Sequence, residues 1–184
     1  KRGDSSFESY IKELEYIRYR DGIKDDYLSR LHYFSEWIEN NEKKGILKNV
    51  SNDVGDDKLL TQAISFMSNN PKLYPKLKSN EDLVRLKQIE SQLNSREVFY
   101  IEKNQLTSKS MINKIEDGDI IAFVASDTTL DVTHTAIAVK KNNNIHLLHA
   151  PKPGTEVQIT NKPLYEYIKN SKLVRGIMVA RLIE

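Results

Sequence analysis

The architecture follows from residues 116–149, EDGDIIAFVASDTTLDVTHTAIAVKKNNNIHLLH. Glu116-Asp117-Gly118-Asp119 is a turn signal, because Asp side chains bond their own backbone and Gly accepts positive φ. Three β-rich runs follow it, at 120–125, 132–139 and 145–149. Asn142-Asn143-Asn144 falls between the last two and predicts a tight hairpin that pairs them antiparallel. Side chains alternate along a strand, so His134 shares a face with Ala136 and Ala138, whose small size leaves the imidazole accessible. With the turn centred on 142–143, position 149 falls across from 136 and becomes a diagonal neighbour of His134. Two imidazoles so placed form a base and an orienting partner that fixes its tautomer. The plainer reading of each is a half-buried strand histidine with a satisfied hydrogen bond. His146, on the opposite side of the pleat from His149, reads as structural or exposed.

Downstream of the hairpin, 157–160 reads as a short strand. Pro163 is suited to a first helical position, with Leu164, Tyr167 and Ile168 facing inward. A last strand is expected over 176–183. Upstream the apolar period lengthens to that of helices. Ser5 and Glu8 fit a capping box for a helix over 5–19, which Asp21-Gly22 stops. A second helix is expected over 26–40 with Gly45 at its exit, and a third over 57–69 ended by Asn70-Pro71. A fourth is capped by Asn80 and carries Leu83, Leu86, Ile89 and Leu93. A short strand at 98–101 and helical turns at 108–115 complete the pattern. Helices precede strands, so the expected class is α+β with segregated elements. The chain reads as one domain over 1–184, mainly helical over 1–95 and sheet over 96–184.

Lys and Arg number 28 against 26 Asp and Glu, interspersed to a net charge of +2, with no basic stripe bearing aromatics. Nucleic acid is therefore a poor partner. No run approaches the ~18 consecutive apolar residues of a membrane span. Lys1-Arg2-Gly3-Asp4 is polar and does not read as a signal peptide. The sequence holds no cysteine, which removes disulfides, cysteine–metal sites and a cysteine nucleophile from these 184 residues. Gly-rich phosphate loops and the Gly-x-Ser-x-Gly elbow are absent, and Asp117 and Asp119 flank a turn glycine in ordinary turn chemistry. His32, within Arg30-Leu-His-Tyr-Phe-Ser-Glu-Trp37, falls on the polar side of its predicted helix and reads as a surface or cap histidine. A zinc site of His32, His134, His149 and an Asp is an alternative, although no His-x-x-x-His pair supports it. No cofactor is expected.

Gly118-Asp-Ile-Ile-Ala122, Asp131-Val-Thr-His134-Thr-Ala-Ile-Ala138 and His146-Leu-Leu-His-Ala150 together resemble the C-terminal half of NlpC-type, papain-like peptidoglycan hydrolases. Ser29-Arg-Leu-His-Tyr-Phe-Ser-Glu-Trp-Ile38 and Asn41-Glu-Lys-Lys-Gly45 narrow the likeness to the N-acetylmuramoyl-L-alanine amidase-like branch, once a domain of unknown function. The order from Tyr74-Pro75 through Ile89-Glu90 to Tyr100-Ile101 follows that branch too. The resemblance implies an NlpC-type fold and cleavage of the muramoyl–alanine bond of cell-wall fragments by cysteine and histidine. It implies His134 as general base, His149 as its orienting partner, and Arg30 and Tyr33 as substrate contacts. Muropeptides are the implied partner, and periplasm or cell envelope the implied location. The family's cysteine lies at a helix N-terminus upstream of the segment matching 7–20, where the dipole and the histidine favour thiolate. It is therefore expected before Lys1, in an upstream part of the same protein. A non-catalytic muropeptide-binding module is the alternative.

Overall fold

The computed structural model describes residues 6–56, 58–152 and 154–183. Helix α1 (Phe7–Arg18) begins at Ser6, whose hydroxyl accepts from the Ser9 N–H at 3.2 Å. Ser5, expected as the cap, lies outside the described residues. No side chain of α1 is buried, and Phe7, Tyr10 and Ile11 of its apolar stripe remain exposed.

The helix expected over 26–40 is two elements. A 3-10 turn (Tyr27–Ser29) is followed by extended chain at Arg30, which bridges Tyr19, and helix α2 (Phe34–Lys43) starts later. The Leu31 N–H finds the Arg18 carbonyl, a partner outside any local helix that outweighs propensity. Gly45 ends α2 with φ +69°, as expected.

Strand β1 (Leu47–Asn49) and helix α3 (Ser51–Val54) come next. The helix expected over 57–69 is confined to α4 (Phe66–Asn69), and Asp57 is outside the described residues. Its predicted first half is extended. Leu60 N–H donates to Val98 O, Tyr100 N–H to Lys58 O, and Ala63 and Ser65 N–H to carbonyls of Thr128 and Thr129. The bonds at Val98 and Tyr100 form an isolated antiparallel bridge between Leu59 and Phe99, and β2 proper, paired with β7, is Ile101–Glu102. Helix α5 (Asn80–Asn94) is capped by Ser79 rather than Asn80, in a reciprocal box with Asp82.

Helix α6 (Lys109–Lys114) leads into β3 (Ile120–Ala125), β4 (Val132–Lys141), β5 (Asn144–His149) and β6 (Gln158–Ile159). Helix α7 (Leu164–Ile168), with Pro163 as its N-cap, and β7 (Val174–Leu182) finish the chain. Leu164 and Ile168 are buried, whereas Tyr167 stays 40% exposed. The sheet order is β1-β7-β3-β4-β5-β6, with β2 also paired to β7, all antiparallel. The class is thus α+β. The meander β3 to β6 is as expected, but β7 returns beside β3 and β1 joins from the helical part.

Alternation divides the central strands between two cores. Ile121, Phe123, Ala136, Ala138, Ile145 and Leu147 pack on one face beneath α6 and α7. Ala122, Val124, Met178 and Ala180 pack on the other against Ile38 of α2 and Leu60. Tyr33, Met67 and Leu86 form a third cluster that joins α5 to the chain ahead of α2.

The sheet is tightest at Gly176, which pairs with Glu102 on one side and Val124 on the other. A Cβ there would lie 2.1 Å from the Ile101 carbonyl oxygen, a backbone atom that cannot swing aside. Gly176→Ala is expected to destabilise the fold by about 2–3 kcal/mol. Equilibrium urea denaturation tests this, and an unchanged midpoint would contradict the close approach.

Candidate functional site

The two-residue turn between β4 and β5 fixes the position of both strand histidines. Asn142 and Asn143 take φ of +51° and +58°, the left-handed pair that a tight hairpin needs. The ladder pairs Lys141 with Asn144, Val139 with His146 and Ile137 with Leu148. One step further, 149 lies across from 136, diagonal to His134, as the sequence predicts. His134 Nε2 and His149 Nδ1 are 2.8 Å apart, a direct hydrogen bond between the rings.

The pair is held from both sides. His134 stacks on Phe123, its cross-strand neighbour, with ring centres 5.6 Å apart and 9° between planes. His149 meets His134 at 68° and the ring of Tyr167 at 86°. His149 is 5% exposed, and its Nε2 is buried with no hydrogen-bond partner among the described residues. His134 is half-buried, and its bond to His149 leaves Nδ1 as its second ring nitrogen. Burial holds both imidazoles below the ordinary value of 6.5, and for His134 the adjacent His149 pushes in the same direction. The arrangement presents a neutral, oriented imidazole, which can take a proton near neutral pH.

His134 also lines a cavity of about 300 Å³ with His32, Tyr33, Phe34, Tyr74 and Asp131. Larger clefts, such as one of about 670 Å³ beside the Asn142–Asn143 turn, contain neither His134 nor His149. Asp131 is 2% exposed and organises this cavity. Its Oδ2 accepts the Ser35 N–H at 2.7 Å near the start of α2, and its Oδ1 accepts the Val132 N–H at 2.7 Å. Burial pushes its carboxyl up, and these N–H groups pull it back.

The structure thus brings His134, His149 and Tyr33 to one region. Tyr33 is 2% exposed; its hydroxyl donates to Glu90 at 2.7 Å and accepts from the Met67 N–H at 3.0 Å. Its oxygen is committed to the core, so its ring is what it offers the cavity. Arg30 is exposed and lies outside the cavity lining. His146 is structural: it is buried, with Nδ1 2.7 Å from the Thr160 carbonyl. His32 is not the surface histidine expected from a helical position. It sits in extended chain before α2 and lines the cavity, whereas a continuous helix over 26–40 would place it on the polar side. Among the described residues no group of three or more His, Cys, Asp or Glu is placed to hold a metal ion. No helix of the described residues is long and apolar enough to cross a membrane.

The sequence profile of the AmiA-like family, described as N-acetylmuramoyl-L-alanine amidase-like, matches residues 1–177. The chain is 36% identical to an N-acetylmuramoyl-L-alanine amidase from Bacteroides uniformis whose crystal structure superposes with a TM-score of 0.92, covering 99% of this chain and 77% of that one. A Bacteroides fragilis protein whose name proposes a xylanase matches at 35% identity and TM-score 0.88, covering 96% of this chain and 76% of that one. A Legionella pneumophila protein of the family DUF1460, at 22% identity and TM-score 0.69, covers 97% of this chain and 70% of that one and shares the fold. Over 76 residues the chain is 33% identical to a diphthine synthase from Methanococcus aeolicus, 40% of this chain. The chain spans 30% of the length of that curated relative.

His32, held low chiefly by burial, joins His134 and His149 in a folded state that binds protons less readily than the unfolded chain. Their contribution to stability is therefore complete above about pH 6.5 and is lost as pH falls through the folded values. Histidine-resolved NMR titration is expected to place all three midpoints below 6.5. A midpoint at or above that value for His134 or His149 would contradict the effect of burial.

Proposed function

Because the chain belongs to the AmiA-like family of N-acetylmuramoyl-L-alanine amidase-like proteins, we propose that it is the histidine-bearing part of an NlpC-type, papain-like cell-wall amidase. The reaction is hydrolysis of the amide between the lactyl group of N-acetylmuramic acid and L-alanine in peptidoglycan fragments. The observation that carries this reading is the 2.8 Å bond between His134 Nε2 and His149 Nδ1 at the edge of an accessible cavity.

His134 is the proposed base. Its Nε2–H donates to His149 Nδ1, which leaves the lone pair on His134 Nδ1 for the proton of a nucleophile. The proposed nucleophile is a cysteine thiol outside these 184 residues. Its thiolate attacks the lactyl carbonyl, the His134 imidazolium returns the proton to the departing L-alanine nitrogen, and a thioester remains. His134 then takes a proton from water as the water attacks the thioester. That step frees N-acetylmuramic acid and restores the thiol. His149 holds the ring through both steps and accepts from it when charged. The Tyr33 ring and the exposed Arg30 are assigned to substrate contact, the latter through its fork of donors. The cell envelope is the proposed location.

The alternative is a muropeptide-binding module without hydrolysis, in which the cavity at His134 serves binding alone. The xylanase name has less behind it. A glycosidase needs two carboxyls flanking a cleft, whereas Asp131 is the single carboxyl among the residues lining this cavity, and it is bonded to the Ser35 and Val132 N–H groups.

In the parent protein, supplied with its cysteine, His134→Ala is expected to lower turnover of N-acetylmuramoyl-L-alanine by about a thousandfold. His149→Ala is expected to lower kcat and to shift the acid limb of the pH–rate profile. Turnover unaffected by His134→Ala would remove the mechanism. Binding without turnover in the intact parent would establish the alternative.

A further inference from the structure

We infer that His32 is a substrate-binding residue whose ring nitrogen accepts a hydrogen bond from a hydroxyl or acetamido N–H of an N-acetylated sugar seated in the cavity beside His134. The inference rests on the amidase reading and adds to it a sugar-side subsite and the residue that selects for it.

The chemistry of His32 is fixed by one contact. Its Nε2 lies 2.8 Å from the Tyr27 carbonyl oxygen. A carbonyl only accepts, so Nε2 carries the hydrogen and, in the neutral ring, Nδ1 carries the lone pair. The ring is also packed against Tyr27, with centres 4.5 Å apart, which limits its rotation. Burial holds the imidazole below its ordinary value and outweighs the Tyr27 carbonyl, which raises it, while the charges of Arg30 and Arg20 also lower it, so the neutral ring is favoured at neutral pH. Among the described residues Nδ1 has no hydrogen-bond partner, and it is not among the atoms sealed from solvent. His32 therefore offers an oriented acceptor in a cavity wall.

The other walls indicate which part of a substrate belongs there. Phe34 and Tyr74, both half-buried, supply aromatic surface, and no lysine or arginine lines the cavity. Asp131 is turned to the backbone of Ser35 and Val132. Such a site suits a neutral group with an apolar face and hydrogen-bond donors at its edge. A pyranose ring fits that description, and the lactyl carboxyl of the muramoyl group carries no charge while it is joined to alanine. The acidic stem peptide finds no cation in this cavity. With the scissile amide at His134, the sugar occupies the His32 side and the stem leaves in another direction.

The test uses the intact parent protein with its proposed cysteine replaced by alanine, with N-acetylmuramoyl-L-alanine as one probe and L-alanyl-γ-D-glutamate as the other. His32→Gln keeps a side-chain N–H for the Tyr27 carbonyl and removes the acceptor at the Nδ1 position. It is expected to unfold at the wild-type temperature, to bind the muramoyl probe about fivefold more weakly, and to bind the dipeptide unchanged. In wild type, the 15N resonance of His32 Nδ1 is expected to move when the muramoyl probe is added, a signal that a purely structural histidine would not give. Equal muramoyl binding by wild type and His32→Gln, or an unmoved Nδ1 resonance, overturns the inference while leaving the amidase reading intact. Binding of the dipeptide without the muramoyl probe also overturns the inference alone. Binding of neither probe overturns the inference and the amidase reading together.

Discussion

The register of the β4–β5 hairpin governs everything at the candidate site. Asn142 and Asn143 close a loop of two residues, and that length leaves one way for the strands to pair. A loop one residue longer would set 149 opposite a residue of the other face and turn its ring away from His134. Two left-handed asparagines, Asn142 and Asn143, eight and nine residues after His134, therefore determine whether the imidazoles meet. The small side chains of Ala136 and Ala138 leave room for α6 and α7 to cover the same face, so the pair sits at the end of a packed layer rather than on an open sheet.

The second constraint is Asp131. Its two oxygens tie the start of β4 to the start of α2, elements separated by 96 residues in sequence. Helix N-termini have N–H groups without internal partners, and a buried carboxylate there is favoured by the same groups that it satisfies. Because Asp131 precedes His134 by three residues, anchoring α2 also fixes the segment His32–Phe34 opposite the base. The cavity is therefore a consequence of a helix cap supplied from the sheet. Tyr33 strengthens this link by joining Glu90 and the Met67 backbone in the third core.

Strand segments were legible in the sequence, and the irregular helical half was much less so. The run 120–125 matches β3, and the asparagine turn gave the register, because hairpin pairing is a local property with strong turn chemistry. The segments 26–33 and 58–65 depart from the helices that their sequence predicts for a common reason. Their apolar spacing suits a helix, but their backbone groups bond to distant chain, at Arg18, Val98, Thr128 and Thr129. Nothing within either segment encodes those partners. The same limit hid His32, whose place in the cavity depends on the extended backbone between the 3-10 turn and α2. His134 and His149 escaped it because one short loop positions both.

The three histidines show how burial prepares such a site. Each ring has one nitrogen in a fixed bond, His134 and His149 to one another and His32 to Tyr27. Each also has a depressed pKa, so a neutral imidazole with a defined lone pair is the ground state near neutrality. This has a cost at His149, whose buried Nε2 makes no hydrogen bond among the described residues. An unsatisfied buried polar atom costs about 1–3 kcal/mol. Ser35 Oγ, Asn41 Oδ1, Gln62 Nε2 and Arg175 Nε share that state among the described residues, and the one at His149 lies beside the proposed base. The rings of Tyr167 and His134 both meet His149 edge-on while its Nδ1 is bonded to His134, so the packing that orients the base also surrounds the unpaired nitrogen.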